Sequence, residues 1–380
     1  MKPKLSIIIP TKNRQKYCFA AVKQILSLGL KDFEICIQDN SDVNSLENDL
    51  ASLGSERVRY NYHSGVLSFV DNFSEAVSIC SGTYACMIGD DDGLIDSIEQ
   101  VVEYAEQHDV DAVIPELGVA YYWPTEKPLV PGAENGYFIM KSNQAELKFR
   151  AVVPSIQGLL KNGGQDYHLF NLPKLYHGIV KRDRLEEIKK TAGHYFGGLT
   201  PDIYIAVALA LVCKSICTVN VSVTISGVCP TSGSADSDTG RHTGSLKDAP
   251  HFRGHTTYNW CKEVPYVYSI ETIWADTLLH VFEDFKRNEE KASLSVSMLD
   301  AICYFKYPSL RKDVLYHIKE NHLNKITLIA LYSKYWLSHL IPRVYGKLKR
   351  LLHLGKPVEI YFDVKDIESA YKIFKNNINN

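Results

Sequence analysis

The sequence predicts an α/β fold in which a mostly parallel sheet is flanked by helices and followed by a helical C-terminal region. Two observations predict it. Short apolar runs alternate with amphipathic segments over the first third of the 380-residue chain, as in parallel strands joined by crossover helices. From about residue 257 onward the apolar periodicity is helical. We therefore expect a boundary near residue 256.

Strands and helices follow one another closely in the first third. The predicted strands are residues 5–9, 33–37, 58–62, 84–88 and 111–114, and the predicted helices are residues 14–28, 43–53, 67–79 and 94–107. Helices of this length between strands imply right-handed crossovers, so the carboxyl ends of the strands share one edge of the sheet. Ligands of such sheets bind at that edge.

The middle of the chain is less regular. Residues 115–175, rich in proline, glycine and aromatic residues, predict strands and loops above the ligand-binding edge. The elements expected next are a strand at 175–180, a helix at 183–191, a hydrophobic helix at 201–212 with Thr200 as its N-cap, and one long strand at 216–228. Residues 229–256 form a polar loop that is too long to be a passive connection.

The C-terminal region predicts five helices, at residues 266–285, 293–305, 310–320, 326–354 and 367–374. The fourth places Trp336 and Leu337 beside a basic segment that includes Arg343 and Lys347. This composition is typical of a helix on an anionic lipid surface. A core-packed helix with a solvated basic face is an equally good interpretation. Pro342 predicts a kink or a break in this helix.

The composition excludes several classes of protein. Hydrophobic residues make up 45% of the chain and charged residues 23%, as in ordinary globular proteins. The net charge of −2 gives no overall attraction to nucleic acid, so no nucleic-acid partner is expected. Nine scattered cysteines without a C-x-x-C pair predict free thiols in a cytoplasmic protein. No apolar run is long enough to predict a signal peptide or a membrane-spanning helix.

Asp90, Asp91 and Asp92 end the predicted strand 84–88 and are the clearest functional signal in the chain. Carboxylates packed this closely repel one another unless a cation lies among them. Their hard oxygen ligands suit Mg²⁺ or Mn²⁺. The alternative is a helix N-terminus, where aspartate is also favourable. We predict a site for Mn²⁺ or Mg²⁺.

Two further polar clusters follow strands at the same edge. Lys12, Asn13 and Arg14 come after the first strand, where cations and backbone N–H groups suit a diphosphate. This loop lacks the glycines of a dinucleotide-binding or Walker motif. Asp39 ends the second strand and could bind a nucleobase or a ribose hydroxyl. The alternative is an Asx turn or a helix cap.

A second carboxylate and the long loop complete the candidate site. Asp202 lies in the first turn of a hydrophobic helix, where it could take a proton from an acceptor hydroxyl. The alternative is that it only favours the helix dipole. In the long loop, Arg241 and His242 could close over a diphosphate or add a ligand to the metal. His251 and His255 compete with His242 for that role.

Four segments resemble the family 2 glycosyltransferases of the GT-A (Rossmann-like) fold. They are residues 5–14 (LSIIIPTKNR), 34–41 (EICIQDNS), 71–76 (DNFSEA) and 88–94 (IGDDDGL). The resemblance covers about residues 4–230. It implies inverting transfer of a sugar, such as a hexosyl or N-acetylhexosaminyl group, from a UDP- or dTDP-sugar with the help of Mn²⁺ or Mg²⁺.

The resemblance also implies roles for individual residues. Asp92 would be the main metal ligand, with Asp90 and Asp91 reaching the ribose or metal-bound water. Asp202 matches the catalytic base, although Pro201 stands where the family often has glutamate. The residues that would hold the nucleotide are Pro10, Thr11, Asn13, Arg14, Asp39 and Asp71. The long loop would add Arg241 to the nucleotide site and His242 to the metal.

We therefore expect a catalytic domain over residues 1–256, with a nucleotide-binding half at about 1–115 and an acceptor half at about 116–256. Residues 257–380 would form a helical region, with residues 326–356 available to a membrane surface or an oligomer contact. The expected acceptor is a glycan or lipid-linked sugar in bacterial surface polysaccharide or lipopolysaccharide synthesis, at the inner face of the cell membrane.

Three alternatives remain. A sugar-phosphate nucleotidyltransferase would have a glycine-rich, basic first loop, which residues 10–14 do not supply. A haloacid-dehalogenase-like phosphatase shares the D-x-D-G pattern, but carries it at its first strand. A scaffold that binds nucleotide-sugars without catalysis would not need both the aspartate cluster and Asp202.

Overall fold

A computed structural model describes residues 2–116, 118–141, 147–232, 243–244, 246, 249–254, 257–351 and 358–378. These residues form an eight-stranded sheet, a five-stranded sheet and a short two-stranded ribbon, with helices packed around them. The strands are β1 (Leu5–Thr11), β2 (Phe33–Asp39), β3 (Val58–Tyr62), β4 (Tyr84–Met87), β5 (Gly93–Leu94), β6 (Ala112–Pro115), β7 (Val119–Tyr122), β8 (Tyr137–Lys141), β9 (Phe149–Ala151), β10 (Ile179–Lys181), β11 (Ile216–Val219), β12 (Thr224–Val228), β13 (Thr243–Gly244), β14 (Tyr268–Ser269) and β15 (Val358–Phe362).

The helices confirm most of the predicted pattern to within a few residues. They are α1 (Gln15–Ser27), α2 (Leu46–Ser52), α3 (Phe69–Ser78), α4 (Ser97–Gln107), α5 (Ile156–Lys161), α6 (Arg182–Ala192), α7 (Pro201–Val212), α8 (Ile270–Asp284), α9 (Asn288–Ala292), α10 (Val296–Lys306), α11 (Arg311–Glu320), α12 (Lys325–Leu351) and α13 (Ile367–Ile378). Short 3₁₀ turns lie at Tyr167–Leu169, Pro250–Phe252 and Pro308–Leu310.

The larger sheet has the strand order β3-β2-β1-β4-β10-β6-β11-β9. Strands β1 to β4 pair only in parallel with one another, and β6 pairs in parallel with β11. Strand β10 is antiparallel to both of its neighbours, and β9 is an antiparallel edge strand. The predicted α/β fold is confirmed, and the parallel strands carry the predicted ligand-binding edge.

The central strand β1 is buried along its whole length because helices cover both faces of the sheet. Ile8 packs in the cluster that contains Val70 of α3, whereas Ile7 and Ile9 pack in the cluster that contains Val22 of α1. Successive side chains of a strand point to opposite faces, so one apolar run serves both layers. This burial fixes the position of the loop that follows β1.

The five-stranded sheet has the order β15-β8-β7-β12-β5 and was only partly expected. Residues 216–228, predicted as one strand, form two strands, β11 in the larger sheet and β12 in the smaller one. The chain changes sheets between them, where the Asn220 side chain accepts the Lys148 N–H at 2.7 Å. Polar groups in the middle of an apolar run thus mark the change of sheet.

Two local predictions are wrong. The strand expected at residues 175–180 is confined to β10, because His177 has a φ of +59° and cannot continue an extended strand. Of the kink or break expected at Pro342, the break does not occur, because helix α12 continues through this residue. This part of the helix is exposed, so water can hydrate the carbonyl group that proline leaves without a donor.

The last strand and helix return to the first half of the chain. Strand β15 pairs with β8, and α13 packs on α1 and β5. Ile367 and Phe374 of α13 are buried in the cluster that contains Ile95 and Tyr121. Residues 257–380, expected as a separate helical region, are helical over most of their length, but their C-terminal portion lies beside the turn that follows the three aspartates.

Two expectations from composition can be compared with the described residues. All nine cysteines are free thiols, and eight of them are buried. Among the described residues, no helix combines the length and the apolar character that crossing a bilayer requires.

The C-terminal helix should be essential for stability. Phe374 is 1% exposed, and we expect Phe374→Ala to lower the free energy of unfolding by about 3–5 kcal/mol, because the truncation leaves a cavity. Phe362→Ala, at a position that is 47% exposed, is the matched control and should cost less than about 1 kcal/mol. Urea unfolding followed by circular dichroism measures both values. Equal losses for the two variants would contradict the packing of α13.

Candidate active site

The three aspartates lie in the turn between β4 and β5, and each carboxylate has its own set of partners. Asp90 is fully buried and faces the loop after β1. Its Oδ2 accepts the Thr11 hydroxyl at 2.6 Å and the Arg14 Nε–H at 3.0 Å. Its Oδ1 lies 2.9 Å from Arg14 Nη2. Arg14 therefore forms an ion pair with this carboxylate through one hydrogen bond, and Asp90 Oδ1 accepts no hydrogen bond from the described residues.

Asp91 is held through β12. Its Oδ2 accepts the Cys229 N–H at 2.9 Å, and its carbonyl oxygen accepts the Trp123 Nε1–H at 2.8 Å. Its Oδ1 lies 3.9 Å from Arg14 Nη1, which is beyond hydrogen-bond distance. Of the three carboxylates, that of Asp91 has the smallest number of donors in the described part of the chain.

Asp92 holds the turn together. Its Oδ1 accepts the Gly227 N–H at 2.6 Å, and its Oδ2 accepts the Gly89 N–H and, at 3.0 Å, the Tyr176 hydroxyl. His177 Nε2 lies 3.4 Å from the same Oδ2. This carboxylate therefore connects β4, β12 and the segment before β10.

Gly227 allows this close approach of β12 to the turn. A Cβ atom at this position would lie 1.7 Å from the carbonyl oxygen of Asp91, so any side chain would push the strand away. Only glycine fits at this position, because the two backbones are too close to leave room for a side chain.

The electrostatics of the turn favour a cation. Burial raises the pKa of Asp90, and the Arg14 charge opposes that rise. Burial, followed by the charge of Asp92, raises the pKa of Asp91. The guanidinium group of Arg14 lies near Asp90 and Asp91 but is a single charge among three carboxylates. The cluster therefore has more acidic than basic groups and oxygen donors that suit a divalent ion.

A cleft opens at the predicted edge of the sheet, and two of its lining residues, Thr11 and Arg14, contact Asp90. Its walls come from the ends of β1 and β2, from α3 and from the long loop, through residues Pro10, Thr11, Lys12, Arg14, Asn40, Leu67, Ser68, Phe69, Asn72, Phe73 and Arg253. Three of the predicted nucleotide-binding residues, Pro10, Thr11 and Arg14, are thus brought together. The carboxyl ends of parallel strands meet here, as the sequence predicted.

Besides Arg14, two cations line the cleft, Lys12 and Arg253. Lys12 Nζ donates to the carbonyl oxygen and to Oδ1 of Asn40, at 2.7 Å and 2.8 Å. Burial, followed by the positive charge of Arg253, lowers the pKa of Lys12. An anion in the cleft would relieve the repulsion between these two groups.

Asn72 supplies an unsatisfied polar group at the same place. The residue is 8% exposed, and its Nδ2 donates to the Thr11 carbonyl at 3.4 Å. Its Oδ1 is buried without a hydrogen-bond partner in the described residues. A buried acceptor of this kind costs free energy unless a donor reaches it, so it marks a position where a ligand can donate a hydrogen bond.

Three other predicted nucleotide-binding residues do not line the cleft. Asn13 joins the loops after β1 and β2, since its Nδ2 donates to Asp42 at 2.9 Å. Asp39 is fully buried and accepts the Tyr60 hydroxyl at 2.9 Å. Asp71 is exposed, and its carboxylate accepts the hydroxyl of Ser68, the N-cap of α3. Their assignment to the nucleotide remains a prediction, and the contacts show that each shapes the loops around the cleft.

Asp202 lies in the first turn of α7, as predicted, with Thr200 as the N-cap. Its Oδ2 accepts the Tyr167 hydroxyl at 3.2 Å. Burial raises the pKa of Asp202, and the hydrogen bonds that it accepts oppose that rise. A carboxylate with a raised pKa on a rigid helix end has the properties of a general base.

Parts of the long loop lie outside the described residues, including Arg241, His242 and His255. The described segment carries His251, whose Nδ1 lies 2.9 Å from the Tyr268 hydroxyl. Its ring centroid lies 5.4 Å from that of Phe69, which lines the cleft. The loop therefore reaches the cleft, as expected, and the cation that it is seen to contribute there is Arg253.

Sequence reasoning missed Arg253, Asn40, Asn72 and Tyr176. Asn40 and Asn72 directly follow Asp39 and Asp71, which were predicted to bind the nucleotide, so the prediction missed each by one residue. Arg253 lies in the loop that was expected to bring a cation over the diphosphate. Nothing in the sequence pointed to Tyr176, because only the fold brings it to Asp92.

A second group of potential metal ligands lies in the C-terminal half. Among the described residues, Cys261, Asp276 and His280 have ligand atoms within 4.8 Å of one another. Asp276 already accepts the Cys261 N–H at 2.8 Å and the Tyr258 hydroxyl, and His280 Nε2 lies 3.1 Å from the Asn259 carbonyl oxygen. These hydrogen bonds account for the cluster without a metal.

Comparison with known proteins finds one matching family model, which covers less than half of the chain. Residues 6–162 match the family described as Glycosyl transferase family 2. Over 99 residues the chain is 31% identical to the GalNAc(5)-diNAcBac-PP-undecaprenol beta-1,3-glucosyltransferase of Campylobacter jejuni. The aligned part spans 24% of this chain and 31% of that relative, so the chain covers about a third of the relative's length.

Solved structures of S. aureus TarS are also similar to the chain. TarS 1–349 in complex with UDP-GlcNAc is 13% identical, with a TM-score of 0.48 over 99% of this chain and 92% of that one. TarS 1–349 alone is 14% identical, with a TM-score of 0.45 over 83% of this chain and 89% of that one.

The pairing of Arg14 with Asp90 predicts a pH-dependent loss of stability. We expect Arg14→Ala to lower the free energy of unfolding by about 3–5 kcal/mol at pH 8, because a buried charge loses its partner. The pKa of Asp90 in the folded protein is already raised, and loss of Arg14 raises it further. A carboxyl group with a raised pKa destabilises the folded state as pH rises above the pKa of aspartate in the unfolded chain, and the variant suffers more from this than the wild type. The penalty should therefore shrink toward pH 5.

Urea unfolding of Arg14→Ala at both pH values measures this effect. The double variant Arg14→Ala with Asp90→Asn is the control, since it removes the unpaired charge and should recover part of the loss. A penalty that is the same at both pH values, or a double variant no more stable than Arg14→Ala, would show that Arg14 does not act through Asp90.

Proposed function

We propose, because residues 6–162 match the family described as Glycosyl transferase family 2, that the protein transfers a sugar from a nucleotide-sugar to a hydroxyl group of a lipid-linked glycan. The observation that carries the proposal is the cleft that Lys12, Asn72 and Arg253 line together with Thr11, whose hydroxyl donates to Asp90. Such a space offers cations to a diphosphate and buried polar groups to a nucleoside.

The donor would bind with its diphosphate between Lys12 and Arg253. Both groups line the cleft and can donate to phosphate oxygens. The ion pair of the aspartate cluster is with Arg14 and not with either of them. The Oδ1 of Asn72 would accept a hydrogen bond from the donor. As the bond between the sugar and the diphosphate breaks, these two cations would stabilise the negative charge on the leaving group.

A divalent cation fits the aspartate cluster by the chemistry of its donors. Asp91 would provide the principal carboxylate, because it has the smallest number of hydrogen-bond donors, while Asp92 would keep the turn folded through Gly227 and Tyr176. The sequence favoured Asp92 and Asp90 as ligands, and the hydrogen bonds favour Asp91. When bound, Mn²⁺ or Mg²⁺ would supply electrostatic stabilisation of the departing diphosphate.

Asp202 would act as the base. Its carboxylate takes the proton of the acceptor hydroxyl, whose oxygen forms a bond to the anomeric carbon while the bond to the diphosphate breaks on the opposite side. The stereocentre is thereby inverted. The Tyr167 hydroxyl, which donates to Asp202 Oδ2, would orient the carboxylate for this step.

The acceptor class rests on the matched relative. The name of that Campylobacter jejuni protein describes glucosyl transfer to a sugar chain on a PP-undecaprenol carrier. We extend this class to the present protein, with bacterial surface polysaccharide or lipopolysaccharide as the product and a UDP- or dTDP-sugar as the donor. A panel of nucleotide-sugars screened by thermal shift identifies the donor, since a ligand that binds the folded state raises its melting temperature.

Asp202→Asn should abolish transfer and leave donor binding nearly unchanged, because only the acceptor proton depends on this carboxylate. We expect a fall in turnover of at least about 100-fold. Asp183→Asn is the matched control, since Asp183 is also the second residue of a helix and is exposed. Turnover is measured with the donor that the panel identifies, and donor binding by calorimetry. Full turnover by Asp202→Asn would refute the assignment.

The roles of Asp91 and Asp92 can be separated. Asp91→Asn should remove the effect of Mn²⁺ on nucleotide affinity while the protein stays folded. Asp92→Asn should lower the free energy of unfolding by about 1–3 kcal/mol, because its carboxylate accepts two backbone N–H groups. Calorimetric titration with the donor nucleotide, with and without Mn²⁺, and urea unfolding distinguish them. Undiminished Mn²⁺ dependence in Asp91→Asn would contradict the proposed ligand.

A further inference from the structure

Helix α12 carries an apolar stripe on its exposed face. Leu337, Ile341, Val344 and Leu348 are 45%, 63%, 45% and 49% exposed. Their spacing of three or four residues places them on one side of the helix. The opposite side includes Leu328, which is 3% exposed and packs into the core. The stripe is therefore additional to the face that holds the helix on the protein.

The charges of α12 have a single sign. The 27 residues of the helix contain no aspartate or glutamate, whereas the whole chain has 44 acidic and 42 basic residues. Its basic residues are Lys325, Lys334, Arg343, Lys347, Lys349 and Arg350. Arg343 and Lys347 are exposed and lie within the same turns as Ile341, Val344 and Leu348.

We propose that α12 docks on an anionic lipid surface, with the apolar stripe entering the headgroup region and the basic residues meeting lipid phosphates. An exposed apolar stripe flanked by basic residues has the composition of a helix that lies in a membrane interface. Trp336, which is 51% exposed next to the stripe, is of the residue type that is enriched at that depth.

The charge pattern also selects this occupant over a second copy of the chain. Two α12 helices packed stripe to stripe would bring their cationic residues together without an acidic residue on either helix to compensate. Like charges at a contact oppose association. A surface of anionic lipid supplies the complementary charge along the whole helix.

The helix also lies close to the proposed base. His339 Nε2 of α12 is 3.2 Å from Asp166 Oδ2, and the next residue, Tyr167, donates to Asp202. A sugar attached to a lipid carrier in the docked membrane would therefore arrive on the side of the protein where Asp202 lies. This delivery step rests on the proposed function, whereas docking itself does not.

Flotation of the full chain with lipid vesicles tests the proposal. One set of vesicles contains phosphatidylcholine with phosphatidylglycerol, and the other contains phosphatidylcholine alone. We expect the protein to float with the anionic vesicles at low salt, to be released at about 0.5 M salt, where charges are screened within a few ångströms, and to float poorly with the neutral vesicles.

Paired variants separate the two contributions. Leu337→Ser with Ile341→Ser removes half of the stripe, and Arg343→Gln with Lys347→Gln removes two charges. Each pair should lower the vesicle partition coefficient by roughly 10-fold or more. The matched controls are Val43→Ser with Val153→Ser at two other exposed apolar sites, 67% and 82% exposed, and Lys312→Gln with Lys319→Gln on α11. The controls should bind as the wild type does.

Three results would overturn the docking proposal. The wild type could fail to float with anionic vesicles, the α12 variants could float as well as the controls, or the stripe could be covered by a second copy. In that last case sedimentation without lipid would show a dimer that the Leu337→Ser, Ile341→Ser variant dissociates.

Failure of docking is distinguishable from failure of the proposed function, because flotation needs neither donor nor acceptor. Transfer to a water-soluble acceptor analogue needs no membrane, and the α12 variants should retain it. A protein that floats but transfers no sugar would keep the docking surface and lose the proposed activity. A protein that transfers sugar without floating would keep the proposed activity and lose the docking surface.

Discussion

The need of three adjacent buried carboxylates for separate hydrogen-bond donors is the constraint on which the rest of the site depends. Asp90 accepts from the guanidinium group of Arg14, and Asp91 accepts the backbone N–H of the residue directly after β12. Asp92 accepts two backbone N–H groups and the Tyr176 hydroxyl. Unpaired, these buried charges would cost several kcal/mol each. Satisfying them requires the first loop, strand β12 and the segment before β10 to meet at one turn. The cleft forms where those segments meet.

The same requirement explains why distant parts of the chain support the site. Strand β12 has to follow the turn closely, and Gly227 permits it. The smaller sheet that contains β12 also contains β15, so the C-terminal residues are held against β5 through α13. A Cβ atom on Gly93 would lie 2.7 Å from Ile367 of α13. The rigidity of the aspartate turn therefore depends on contacts that close a loop of more than two hundred residues.

The sequence predicted the nucleotide-binding half well because its information is local. Short apolar runs marked β1 to β4 within two residues at each end, since strands that are buried on both faces are rich in apolar residues. Parallel strands have their carboxyl ends at one edge of the sheet. This predicted that Pro10, Thr11 and Arg14 would lie at the same edge as the aspartates. The single strand expected at residues 216–228 was wrong, because the change between sheets is a tertiary event that an apolar run does not reveal.

What the sequence determined by itself was the α/β order, the edge where the polar clusters gather and the residue types that could bind a cation or take a proton. Only the tertiary structure decided which oxygen atoms are already occupied, that Asn72 and Arg253 face the cleft, and that α13 returns to β5. The reason is physical. Periodicity records which residues of one element are buried, whereas partners far apart in sequence are chosen by the packing of complete elements.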